Sequence, residues 1–191
     1  KSTPSHRWSF EITPRGAVVC TGRRIALFDE GEKTWEWEAT ADLTAGPAVR
    51  DGRVTVGSAN GMITGIELAD GSPVWNQPTE SRLQGPMGAT TELVVAGSQG
   101  GELFALSADD GKTMWQADVG DVPLGKPVAV SDRLVVGSRS NQLALIDIAG
   151  GDVVASHRFN SWLLSTRLVG TDGDPMVACA DLGGNVTFLS L

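Results

Sequence analysis

The chain has 191 residues, with 15 Lys and Arg against 23 Asp and Glu and a formal net charge of −8. Hydrophobic residues make up 41% and charged residues 20%, the composition of a folded chain of a length that builds one domain around one core. The acidic balance, with Arg23-Arg24 as the one basic doublet, argues against a nucleic-acid partner, and the apolar runs are too short to span a membrane.

Read from the N-terminus, Arg7-Trp8-Ser9-Phe10-Glu11 and Ala17-Val18-Val19-Cys20 are short alternating or apolar runs, followed by Gly31-Glu32-Lys33-Thr34-Trp35. The same order returns with Val54-Thr55-Val56-Gly57-Ser58 and Gly71-Ser72-Pro73-Val74-Trp75. It returns again with Val94-Val95-Ala96-Gly97-Ser98 and Gly111-Lys112-Thr113-Met114-Trp115. A further copy has Leu134-Val135-Val136-Gly137-Ser138 and Gly151-Asp152-Val153-Val154-Ala155, with alanine in the tryptophan position, and Met176-Val177-Ala178-Cys179 marks a last one. The step is 40 residues each time. Gly111-Lys112-Thr113 spells the tail of a phosphate-binding loop, but Leu106 stands where the loop's first glycine belongs and no helical pattern follows.

Runs of four to seven β-branched or apolar residues, punctuated by Asp51-Gly52, Asn60-Gly61, Gly100-Gly101, Asp110-Gly111 and Gly150-Gly151, read as strands joined by hairpins. Helical spacing is nowhere sustained. Four strands per unit of about 40 residues predict an all-β fold, a β-propeller of about five blades. The blades fall at about 13–40, 41–79, 80–119, 120–159 and 160–191, the last one a strand short. Gly31, Gly71 and Gly111 bend the outer hairpins, and Trp35, Trp75 and Trp115 pack between blades.

The N-terminal strand, residues 6–12, is expected to complete the fifth blade, because Trp8-Ser9-Phe10-Glu11 matches Trp35-Glu36-Trp37-Glu38. The competing alignment makes Trp8 to Ile12 the first strand of the first blade. Cys20 and Cys179 read as buried free thiols, with a bridge between the first and last units as the alternative.

The pattern G-S-x-x-G-x-L-x-A-L-x-x-x-D-G-x-x-x-W, nearly complete from Gly97 to Trp115, resembles the repeat of the pyrroloquinoline quinone (PQQ) type β-propellers. Quinoprotein alcohol dehydrogenases, an assembly lipoprotein of the outer membrane and sensor-like propellers on bacterial kinases share it. The resemblance implies an extracytoplasmic protein. In the dehydrogenase branch it also implies an eight-bladed ring, a calcium-bound quinone, a catalytic aspartate and a disulfide between adjacent cysteines. Five units and no Cys-Cys pair leave none of those roles a numbered position here.

Chemistry read from the residues themselves is sparse. His6 and His157 lack a third metal ligand. Ser58, Ser98 and Ser138 recur with the blades as turn residues and not nucleophiles, and Asp172-Gly173-Asp174 reads as a tight turn. The innermost strands hold too few carboxylates for a glycosidase pair. What gathers toward the channel mouth is Asp42, Arg82, Asp121, Lys126, Asn160, Trp162 and Arg167, a candidate peptide or small-ligand surface or an ordinary solvated face. The expected function is a non-catalytic binding or scaffolding module with a protein or peptide partner, no metal and no cofactor. The alternatives are a PQQ-dependent dehydrogenase with calcium, whole or a fragment, and the sensor domain of a larger signalling protein.

Overall fold

A computed structural model describes residues 8–161, 163–171 and 174–190. The first sheet runs β1 (Trp8–Thr13), β2 (Gly16–Thr21), β3 (Arg24–Asp29) and β4 (Glu32–Glu38). The second runs β5 (Leu43–Arg50), β6 (Arg53–Ser58), β7 (Met62–Glu67) and β8 (Pro73–Pro78), and the third β9 (Gly88–Ala89), β10 (Leu93–Gly97), β11 (Glu102–Ser107) and β12 (Thr113–Asp118). The fourth comprises β13 (Pro123–Val130), β14 (Arg133–Ser138), β15 (Gln142–Asp147) and β16 (Val153–Arg158). The fifth has three strands, β17 (Leu163–Thr171), β18 (Asp174–Asp181) and β19 (Val186–Ser190).

Every sheet is an antiparallel meander in chain order, and no helix occurs among the described residues. The five sheets are the blades of a β-propeller, as the 40-residue period predicts. Both faces of a blade are apolar, so the core lies between blades. In β2, Val18 and Cys20 meet Val54 and Val56 of β6. Ala45, Ile63 and Trp75 of the second blade meet Val94, Ala96 and Phe104 of the third, and Leu103 and Trp115 of the third meet Leu134 and Val136 of the fourth. Val135 and Leu143 of the fourth meet Val177 and Cys179 of the fifth.

Tryptophan fastens these junctions at the outer rim. A Cβ built on Gly71 would lie 2.7 Å from the Trp35 ring, and one on Gly151 would lie 2.7 Å from the Trp115 ring, so only glycine fits beneath them. Trp35 Nε1 donates to the Leu68 carbonyl at 3.0 Å, and Trp115 Nε1 to that of Ile148 at 2.7 Å. The Trp75 ring covers Gly111 in the same way, but its Nε1 is buried with no acceptor among the described residues. The carbonyl it would use, Ala108, accepts instead from Arg53 Nη1 at 2.9 Å. Gly31 differs: it sits in a two-residue turn with Glu30, and nothing lies within 4 Å of a Cβ built on it.

The N-terminal strand does not complete the fifth blade. From Trp8 onward it is the innermost strand of the first blade, each residue through Thr13 paired with β2, while β19 is the last strand of the fifth sheet. The short Pro14-Arg15 turn allows no excursion to the far end of the arc. Residues 6 and 7, also expected there, lie outside the described residues, as does His6. The Cys20–Cys179 bridge is overturned as well: both thiols are buried and free, Cys20 against the second blade and Cys179 against the fourth.

Candidate functional site

The inner strands converge on a central cavity of about 450 Å³. Its wall is supplied by Ser9, Phe10 and Glu11 of β1, Leu43, Thr44, Gly46 and Pro47 of β5, Gly85, Pro86 and Met87 just before β9, and Lys126 of β13. β5 and β13 carry bulges along this wall, and Gly46, at φ +91°, lies within that of β5. The Gly46 amide donates to the Gly85 carbonyl at 3.1 Å and the Gly85 amide to the Thr44 carbonyl at 3.0 Å, which joins the second blade to the third at the channel.

Phe10, Leu43, Pro47, Pro86 and Met87 make the lining predominantly apolar. One ion pair crosses it: Lys126 Nζ lies 2.6 Å from Glu11 Oε1, linking the first blade to the fourth. Both side chains retain solvent access, 43% for Lys126 and 25% for Glu11, so a ligand can compete for either charge. A largely apolar concavity with one charged pair has the character of a ligand-sized pocket, and among the described residues no hydroxyl of its wall is hydrogen-bonded to a carboxylate or imidazole. Among the described residues Glu11 is its only carboxylate and is already engaged, against the six to eight oxygens a calcium ion takes. Among the described residues, no three His, Cys, Asp or Glu side chains gather as a metal site. The lining therefore does not suit a calcium-bound quinone.

The residues picked from sequence separate into three places. Asp42 and Arg82 hold equivalent positions on inter-blade loops, their carbonyls accepting from Ala59 and Gln99 amides at 2.8 Å, with both side chains exposed. Asp121 caps its own loop, its carboxylate accepting the Val122 amide at 2.6 Å, and Asn160 is exposed on the loop before β17. Of the picked residues that are described, Lys126 alone lies in the cavity. Arg167 is aligned with Ala178 and Phe188, on the face of the fifth blade turned away from the fourth. Trp162 lies outside the described residues, as does the turn at residues 172 and 173.

Glu11, Ser9 and Phe10 escaped the sequence reading because their strand was assigned to the outer rim. The signal was present in the competing alignment. The recurring serines are turn residues: Ser98 Oγ accepts the Gly100 and Glu102 amides at 3.1 Å, and Ser58 Oγ donates to the Met62 carbonyl at 3.0 Å. Asp181 takes the corresponding place in the fifth blade, and hydrogen bonds from Asn185 hold its carboxyl below the usual range. His157 is exposed on β16, its ring edge-on to Phe159 at 4.8 Å.

Among solved structures the fold is similar to BamB from Moraxella catarrhalis, at a TM-score of 0.74 and 16% identity, covering 96% of this chain and 64% of that one. It is similar to Sqt1 of Saccharomyces cerevisiae at a TM-score of 0.81 and 15% identity, covering 97% and 59%, and to the computationally designed Ika8 protein at 0.81 and 14%, covering 95% and 57%. The chain thus spans about three fifths of the length of these three structures. Comparison with curated protein sequences gives no match. A family model described as outer membrane protein assembly factor BamB matches residues 21–190, nearly the whole arc of blades, and on that match the chain belongs to this PQQ-type β-propeller family.

Proposed function

We propose that the chain is a non-catalytic binding module that seats an extended segment of a protein or peptide partner, or a small ligand of the same chemistry, in the mouth of the central channel. The observation that carries this reading is the cavity of about 450 Å³, mostly apolar, with the solvent-accessible Glu11–Lys126 pair and the hydroxyl residues Ser9 and Thr44 in its wall. The family description, an outer membrane protein assembly factor, supports a role among protein partners and an extracytoplasmic location. The want of a second carboxylate beside Glu11 among the described residues supports a site that works without calcium or quinone.

The test uses peptides selected from a random displayed library on the wild-type chain. Binding is expected to weaken at least about tenfold in Lys126→Glu with the circular dichroism of the folded chain unchanged. Equal binding to wild type and Lys126→Glu overturns the channel as the site. Addition of PQQ with calcium is expected to leave the melting temperature where it was; a rise of several degrees at micromolar ligand overturns the non-catalytic reading.

A further inference from the structure

A second recess, of about 330 Å³, lies in the groove between the first and second blades, both of them four-stranded sheets. Trp37 of β4 stands on its first-blade wall. On the second blade the row Leu43, Ser58 and Met62 crosses β5, β6 and β7, and Thr64 and Asn76 lie in the next row of the same face. Trp35, Trp75 and Trp115 are buried at the blade junctions, whereas Trp37 is half-buried and packs against the edge of that core. Leu43 lines both this groove and the central cavity, so the two recesses meet at that residue.

On the reading of the channel as a binding site, we propose that the site continues along this groove, and that its occupant is an extended stretch of a partner polypeptide with an aromatic side chain between Trp37 and Met62. Steps of about 4.8 Å from β5 to β6 and from β6 to β7 put Met62 about 10 Å from Leu43, the reach of about three extended residues. The aromatic side chain thus belongs about three residues beyond the one at the channel lip. A flat ring suits the slot, because it stacks on the indole on one side and meets the Met62 thioether on the other. Thr64 Oγ1 donates to Asn76 Oδ1 at 2.8 Å, which leaves the Nδ2 hydrogens of this exposed amide for a carbonyl of the incoming backbone.

The repeat sets this groove apart from its counterparts. One period on, Gln77 and Glu102 take the places of Trp37 and Met62, and a further period on Ala117 and Gln142 do. The recess between the second and third blades is accordingly polar, with Gln77, Glu102 and Gln116 in its wall. Leu43 is replaced first by Leu83 and then by Pro123, both buried, so neither later groove meets the cavity through that position. Of these three grooves, the one between the first and second blades alone offers a ring and a thioether on facing walls.

Peptides of about ten residues, selected on the wild type from a random displayed library, are expected to share an aromatic residue, and its replacement by alanine to weaken binding about tenfold or more. Trp37→Ala is expected to weaken the same peptides as much and to abolish the effect of that replacement, because ring and slot act as a pair. Gln77→Ala, at the equivalent place one blade on, is expected to leave binding unchanged. Circular dichroism checks that each variant folds; if Trp37→Ala does not, Met62→Gln on the facing wall replaces it. Peptides weakened by Lys126→Glu but not by Trp37→Ala overturn the groove and leave the channel standing, and peptides indifferent to both overturn the two readings together. Weakening by Trp37→Ala alone detaches the groove from the channel, equal weakening by Gln77→Ala assigns the loss to the fold, and a selection without a shared aromatic residue leaves the slot unused; each of these overturns the proposal.

Discussion

Cys20 occupies the position of Gly57, Gly97 and Gly137 in the later blades, whereas Cys179 occupies that of Val56, Ala96 and Val136, so the two point to opposite sides of their sheets. Burial pushes the Cys20 thiol up to about 12, against a small downward pull from the Ser9 hydroxyl, and burial raises Cys179 as well. Neither is expected to react with a thiol-specific disulfide reagent at pH 8 in the native state, and both are expected to react in denaturant; one rapid native equivalent would contradict the packing. A thiol held protonated by the fold stabilises fully below its ordinary value of 9.0, and that contribution is lost as pH rises toward about 12, because the unfolded chain ionises first. The urea midpoint should fall over that window and fall less in Cys20→Ala. Gly111 gives a second residue-level measurement. Its φ of +73° and the Trp75 ring against it make Gly111→Ala costly, about 2 kcal/mol or more. Gly52, at φ +80° with nothing within 4 Å, should cost about 1 kcal/mol for the same change. Equal losses in chemical denaturation would mean that the ring carries none of the penalty.

At the scale of the strand, β12 and β16 show what the tryptophan contributes. Trp115→Ala removes a buried ring and the bond to the Ile148 carbonyl, an expected loss of about 3–5 kcal/mol. In β16 the same position is Ala155, and it borders a cavity of about 160 Å³ with Leu143, Leu145 and Leu189. Ala155→Leu partly fills that space, and a gain of about 0.5–2 kcal/mol in thermal unfolding is expected. Both positions were legible in the sequence, because glycine and tryptophan at a fixed offset state the hairpin and its ring together. β1 was misplaced for a physical reason. Trp8-Ser9-Phe10-Glu11 and Trp35-Glu36-Trp37-Glu38 share a period-two alternation, and period two says that a segment is a strand without saying which sheet it joins. The two-residue turn into β2 decides that, and it carried no glycine signal at its centre. With β1 misassigned, Glu11 was invisible as the partner of Lys126, although Lys126 itself was found from its place on an inner strand.

For the whole molecule, stability is a sum over blades and the junctions between them, so it is uneven along the arc. The second, third and fourth blades are covered on both faces, while the first and fifth each have one face open. Amide exchange at low protein concentration should therefore be slowest in β6, β10 and β14 and fastest in β19; uniform protection would contradict a stack of nearest neighbours. The repeats nevertheless differ at the carbonyls of Leu68, Ala108 and Ile148. Two of these are held by the preceding tryptophan, and the middle one by Arg53, whose other nitrogen, Nη2, binds Glu67 at 2.9 Å. Excision of residues 80–119, one full period, would bring the second blade against the fourth, with Arg53 and Trp75 both facing the Ile148 carbonyl that Trp115 had held. Arg53 thus makes the junction of the second and third blades unlike the two that flank it, so that a chain one period shorter keeps the repeat and loses a matched neighbour.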